Sequence, residues 1–206
     1  MTSWGKYGAG AERWSDEAYA DPAAYLAHRA ELVVSLGPPL ATGDTALDLA
    51  CGDGGPAAFL PRQRHLGVDA SAEMVDAARR RGRDVVHADL NEFAPAESVA
   101  ATTIFRAIYY ARGRREFLCR VAGYTERKLV FDLNPRQFAL SDVRADLEAA
   151  GFDGLTLRPF FVPQTSRLPR PALRALVALE RSGPLARLAL RFRFTYLCAA
   201  FRRTNV

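Results

Sequence analysis

Two hydrophobic periods alternate along this chain. Short apolar runs that end on an acid or a glycine are separated by stretches with apolar residues three and four apart. Thr45-Ala46-Leu47-Asp48-Leu49-Ala50 reads as a buried strand, and 65–69, 84–88, 101–105 and 128–133 read as four more. Between them the spacing predicts a helix starting at Pro56 and one capped by Ser71, carrying Met74, Val75 and Ala78 and ending at Gly82. Two more are predicted over 112–122, with Phe117, Leu118 and Val121 on one face, and over 141–150. Upstream, Asp21-Pro22 opens a helix and Gly37-Pro38-Pro39 closes it. Strands alternating with helices predict an α/β layer fold with a parallel sheet.

The pattern changes after Gly151. Residues 155–161 are strand-like, 171–182 form a short and mostly apolar helix, and a second short helix is read over 184–190. Such an apolar helix is expected to pack on the domain, on a second subunit or over a greasy ligand. Arg191-Phe192-Arg193-Phe194-Thr195-Tyr196 alternates at the period of a strand and runs on through Phe201. With no regular crossover helix between these last two strands, an antiparallel strand added at the end is expected.

The 206 residues, 49% apolar and 25% charged, suit one globular domain, 1–206. Within it, 1–40 is expected to form a helical cover and 162–190 a helical insertion before the last strand. No apolar run approaches the roughly 18 residues of a membrane-spanning helix. Met1 to Lys6 holds no apolar signal core, so the expected location is the cytoplasm. Three well-separated cysteines form neither a disulfide framework nor a zinc spacing, and no metal site is expected. The net charge of +5 is unevenly placed: residues 1–157 carry an excess of acids, whereas 158–206 carry ten arginines and only Glu180 as an acid. That tail is either a solvated face or a surface for an anionic partner.

The sharpest chemical signal is Asp48-Leu49-Ala50-Cys51-Gly52-Asp53-Gly54-Gly55, between a strand and a helix. Small residues there let backbone approach a ligand, and a helix start offers free N–H groups. Asp69 ends the next strand, where a carboxylate can accept both hydroxyls of a ribose. Asp89 follows the third and could accept from the exocyclic amine of a purine. Cys51 reads as a small packing residue, and His28, His65 and His87 as structural.

These residues resemble the class I S-adenosylmethionine-dependent methyltransferases of small-molecule type. Three blocks match in order and spacing: residues 47–54, 67–74 and 87–90. The resemblance implies a Rossmann-like sheet of seven strands, mostly parallel with the last antiparallel, and helices on both faces. It implies S-adenosyl-L-methionine as cofactor and S-adenosyl-L-homocysteine as product. Asp48, Ala50, Cys51, Gly52 and Gly54 would hold the methionine part, Asp69 the ribose, Ala70 and Met74 the adenine face, and Asp89 and Leu90 the adenine edge. Phe105 and Arg106 would lie beside the methionine amine or the methyl group. Tyr19, Tyr25 and Arg29, on or beside the first helix, would cover the cofactor, with Arg29 against its carboxylate. Ala50 stands where the family pattern has a glycine. Ile108-Tyr109-Tyr110 stands where many small-molecule members have a histidine, so no general base is assigned. The residues expected near the methyl group are Arg106, Tyr109, Tyr110, Asp132, Asn134 and Arg136.

The expected function is methyl transfer to oxygen, nitrogen or carbon of a small-molecule acceptor, anionic or hydrophobic, with a homodimer left open. The alternative is a nucleic-acid methyltransferase using the Arg-rich tail, against which stand the lack of an Asn-Pro-Pro-aromatic motif and of a separate RNA-binding module. A nicotinamide-dependent reductase and an inactive scaffold are disfavoured by Asp48 ahead of the loop and by the Asp89 block.

Overall fold

The computed structural model describes residues 10–183, 186, 188 and 195–202. The elements run α1 (Trp14–Ala18), α2 (Pro22–Ser35), β1 (Thr45–Leu49), β2 (Arg64–Asp69), α3 (Ala72–Arg80), β3 (Val85–His87), β4 (Val99–Ile104), α4 (Arg114–Tyr124), β5 (Thr125–Leu133), α5 (Leu140–Ala149), β6 (Gly154–Pro159), α6 (Arg170–Glu180) and β7 (Tyr196–Phe201). Two short 3-10 helices, Gly55–Phe59 and Ile108–Tyr110, follow β1 and β4. One seven-stranded sheet has the order β3-β2-β1-β4-β5-β7-β6. β7 pairs antiparallel with both β5 and β6, and the remaining pairings are parallel. The expected sheet is therefore present, with its antiparallel strand inserted between β5 and β6.

Alternation along the strands sorts the core onto two faces. Leu47, Leu49, Leu129, Phe131 and Leu133 face α4 and α5, meeting Phe117, Leu118, Val121, Val143 and Leu147. Ala101, Val130, Leu197 and Ala199 face α2, meeting Leu26, Leu32, Val33 and Leu36. Leu173 and Val177 of α6 pack on that second cluster, so α6 lies on the domain itself. Lys128 belongs to the α2 face too. It is wholly buried, and its Nζ donates to the carbonyls of Val34 and Leu36 at 3.0 and 2.8 Å, closing the carboxyl end of α2.

Local signals explain most boundaries. The Asp21 carboxylate accepts the Ala24 N–H at the start of α2, and the Ser71 hydroxyl accepts the Met74 N–H at the start of α3. Two differences stand out. Pro56 opens no α-helix, because the chain after Gly54 tightens into the five-residue 3-10 turn Gly55–Phe59. α1, unforeseen in the sequence, is one turn long and too short to show a helical period. The expected segments over 184–190, apart from Ala186 and Leu188, and over 191–194 lie outside the described residues.

Candidate active site

In an open α/β sheet, ligands bind at the carboxyl ends of the strands where the chain reverses its direction of winding. Here that point lies between β1 and β4, since the chain runs outward through β2 and β3 before returning to β4. A cavity of about 430 Å³ opens there. Its size falls in the span of about 300–1,000 Å³ usual for small-molecule sites.

The floor is the loop after β1. Ala50, Gly52 and Gly54 take left-handed φ angles of 59°, 58° and 70°, which turn the loop sharply under the cavity. Alanine tolerates that conformation at a modest cost, so the departure at Ala50 leaves the turn intact. Asp69 fixes the loop from the neighbouring strand: one oxygen accepts the Gly52 N–H at 2.8 Å and the other the Ser71 N–H at 2.9 Å. Burial raises the Asp69 pKa, and the two N–H groups pull against that rise.

The period of two places Asp48, Thr103 and Asp132 on the α2 face near the strand ends. Asp48 accepts the Thr103 hydroxyl at 2.7 Å, and His65 Nε2 stands 3.7 Å away. Asp132 accepts the Arg106 backbone N–H at 2.7 Å, while its other oxygen lies 3.6 Å from Arg29. Burial raises the Asp132 carboxyl, opposed by Arg29 and then by Arg106. Arg29, only 2% exposed, donates to the Tyr25 hydroxyl at 2.9 Å and lies 4.4 Å from the Phe105 ring centre. Its Nε is buried without a hydrogen-bond partner.

The cavity brings together Tyr19, Arg29, Asp48, Ala50, Cys51, Gly52, Asp69, Ala70, Met74, Leu90, Phe105, Arg106, Tyr109 and Tyr110 of the residues singled out in the sequence. Six others stand outside its lining. Gly54 turns toward Arg83, whose Cγ would lie 2.9 Å from a Cβ built there. Tyr25 stacks behind Tyr19 at 4.3 Å, and Asp132 lies beneath Arg29 and Arg106. Asp89 is engaged by Asn91 and by Arg112, the latter at 2.8 Å, leaving Ala88 and Leu90 on the wall. Asn134 and Arg136 close a turn of their own beyond β5.

Asp53, within the 50–54 loop that the resemblance places at the methionine part, lines the cavity too, and the sequence reading missed Trp14, Ser15, Leu26, Pro56, Ala88 and Ala107. Trp14 and Ser15 come from α1. The signal available for them was Asp53, an extra acid in a small-residue loop that needs a partner once buried. Among the described residues no group of three His, Cys, Asp or Glu could hold a metal, and no helix is long and apolar enough to cross a membrane.

Residues 46–127 match the family model of a methyltransferase domain. Over 67 residues the chain is 43% identical to the trans-aconitate 2-methyltransferase of Azoarcus sp. (strain BH72), a match covering 30% of this chain and 26% of that protein. The fold is similar to a chain of the complex between the Haloferax volcanii methyltransferase activator Trm112 and a methyltransferase. That likeness has a TM-score of 0.68 at 17% identity and covers 99% of each chain. It is also similar to the plantazolicin methyltransferase BpumL in complex with S-adenosylhomocysteine, at a TM-score of 0.59 and 12% identity over 98% of this chain and 92% of that one. The phosphoethanolamine N-methyltransferase 2 of Haemonchus contortus gives 0.60 at 15% identity, over 86% of this chain and 53% of that one. Residues 46–127 thus carry the sequence of a methyltransferase domain, and the strand order and the loop after β1 give the chain the fold of these methyltransferases.

Proposed function

We propose that this protein transfers the methyl group of S-adenosylmethionine to oxygen, nitrogen or carbon of a small-molecule acceptor. The observation that carries this reading is Asp69. Its carboxylate grips the loop through Gly52 and Ser71 at the edge of the cavity, where one that still has acceptor capacity suits a pair of ribose hydroxyls.

The other residues fit the same group. Arg29 lines the cavity with a buried Nε that lacks a partner, a vacancy the carboxylate of a methionine moiety would fill. Met74, Ala70, Ala88 and Leu90 offer an apolar slot for a purine, with Asp89 behind it. Bound there, S-adenosylmethionine supplies an electrophilic methyl carbon on a sulfonium. The chain's task is alignment: Asp48 and Arg29 fix the amino-acid end, Asp69 the sugar, and Trp14 and Tyr19 exclude water from above. Orientation alone can contribute roughly 7 kcal/mol or more.

A nucleic-acid acceptor is less well supported. Two tail arginines are already engaged on the domain, Arg167 near Asp21 at 3.5 Å and Arg181 with Glu31. The test is calorimetric titration with S-adenosylmethionine and S-adenosylhomocysteine, with NADH as control, on wild type and Asp69→Ala. Saturable binding of the first two, weakened in the variant, is expected. Binding of NADH alone would overturn the assignment.

A further inference from the structure

The charges around the cavity are unevenly spent. Asp53 is taken up by Ser15 and by Arg81, Asp69 by two loop N–H groups, and Asp48 by Thr103. Arg29 is compensated by Asp132. Arg106 is different. Its backbone is fastened, yet among the described residues its exposed side chain has neither a hydrogen bond nor an ion pair. It also holds a left-handed φ of 54°, which costs a residue with a Cβ and persists because buried Asp132 fixes its N–H. A single carboxylate thus holds the Arg29 guanidinium inside the cavity wall and the Arg106 backbone at its exposed side. Tyr109, 48% exposed, and Tyr110 stand beside Arg106 with ring centres 4.5 Å apart, forming an aromatic wall.

Apart from the carboxylates of Asp48, Asp53 and Asp69, each already held by the partners named above, the same lining carries no side chain suited to removing a proton. It includes no His and no Lys among the described residues. Burial pushes the Cys51 thiol up, and burial with the neighbouring Tyr110 holds the Tyr109 phenol up at about 12. A neutral phenol or a protonated amine entering beside Arg106 would find no uncommitted base to deprotonate it, and an ammonium would meet Arg106 with like charge. An acceptor that arrives already ionised needs no base.

We infer that the acceptor is a carboxylate, gripped by Arg106 against the Tyr109–Tyr110 wall, and that a carboxylate oxygen takes the methyl group. This rests on the methyl-transfer reading above. The oxygen lone pair forms the new O–C bond as the C–S bond of the sulfonium breaks, its electron pair returning to sulfur. Carboxylate and sulfonium charges cancel. The products are a methyl ester and a neutral thioether, with no proton to place. The Arg106 guanidinium presents a planar fork that matches a carboxylate.

The test uses the full chain saturated with S-adenosylhomocysteine. Benzoate, cinnamate, succinate and citrate are titrated against their amides by ligand-observed NMR, on wild type, Arg106→Gln and, as an exposed control on α6, Arg174→Gln. At least one acid is expected to bind about tenfold to a hundredfold better than its amide. That preference should vanish in Arg106→Gln and persist in Arg174→Gln, each variant being kept saturated with S-adenosylhomocysteine. With methyl-labelled cofactor, counts transferred to a preferred acid should be released as volatile methanol by mild alkali. Equal binding of acids and amides, no binding by any acid, a preference surviving in Arg106→Gln, or an alkali-stable product overturns the inference. Failure of S-adenosylhomocysteine to bind wild type is a separate signal, and it overturns the methyl-transfer reading beneath.

Discussion

Asp53 accepts both the backbone N–H of Ser15, at 3.0 Å, and its hydroxyl, so one carboxylate joins the loop after β1 to α1. Arg81 reaches the same group at 3.1 Å from the end of α3. Asp53 is 1% exposed, and such a buried carboxylate is tolerable only with this set of partners. Because Trp14 and Ser15 line the cavity, α1 is a wall that Asp53 holds in place.

Asp53→Ala should therefore act twice. Loss of the buried network should cost about 2 kcal/mol of stability, toward the lower end for a charged partner because the Arg81 side chain is 31% exposed. Freeing α1 should also weaken S-adenosylhomocysteine binding by about tenfold, the equivalent of roughly 1.4 kcal/mol. Denaturant unfolding and calorimetry measure the two effects. Intact affinity in a destabilised variant would show that α1 takes no part in the site.

A second prediction concerns Gly67, in mid-strand β2 beneath the loop. A Cβ there would stand 2.6 Å from Cys51 Sγ and 3.3 Å from Val85. Gly67→Ala should push Cys51 upward, distorting the turn on which Ala50 and Gly52 depend, and costing about 1–3 kcal/mol by overpacking. Removing the sulfur in Cys51→Ala/Gly67→Ala should restore most of the loss in stability and cofactor affinity. Simple additivity of the two substitutions in unfolding experiments would refute steric coupling.

The same loop shows what the sequence could and could not convey. Five parallel strands announced themselves through apolar runs ending at Asp48, Asp69 and Asp132, because a strand end in an α/β sheet is where a polar side chain can reach a ligand. The loop was legible too, since its left-handed turns favour small residues. What stayed hidden was who answers whom across the chain. Asp132 was named for the methyl end of the site, but its hold on Arg29 and Arg106 joins three distant segments that no local period connects. Asp89 looked free in sequence because Arg112, 23 residues on, was not seen to fold back onto it. α1 was missed because one helical turn has no period, and its stability comes from Asp53.

Lys128 gives a prediction with an alkaline signature. Burial, aided by Arg127, lowers its pKa from 10.5 to about 8. The folded protein then releases this proton at a lower pH than the unfolded chain does. The contribution of Lys128 to stability should rise as pH climbs from about 8 toward 10.5. Lys128→Met should remove that rise. It should also cost about 1–3 kcal/mol at pH 7, because the carbonyls of Val34 and Leu36 lose their donor in a dry environment. Urea unfolding at pH 7, 8.5 and 10 measures both effects, and an unchanged alkaline slope in the variant would exclude Lys128 as its source.

The contact between α2 and α6 should respond to pH in the opposite sense. His28 Nε2 lies 2.6 Å from Glu180, and Nδ1 lies 3.3 Å from Glu31. Glu180, 2% exposed, also accepts the Phe161 N–H at 2.6 Å, and Glu31 is paired with Arg181. Burial pulls the His28 pKa down, but the hydrogen bond and charge of Glu180, with Glu31 behind them, outweigh it and leave the value above 6.5. For a base with a raised folded value, the stabilisation is fully present below 6.5 and is lost as pH rises through the folded pKa. Wild type should thus lose stability relative to His28→Gln between pH 6 and pH 8, and Glu180→Gln should abolish the difference. Since α6 packs over the α2 face through Leu173 and Val177, limited proteolysis of the segment between β6 and α6 should quicken over the same interval in wild type alone. Parallel pH profiles for wild type and His28→Gln would place the origin of any pH response elsewhere in the molecule.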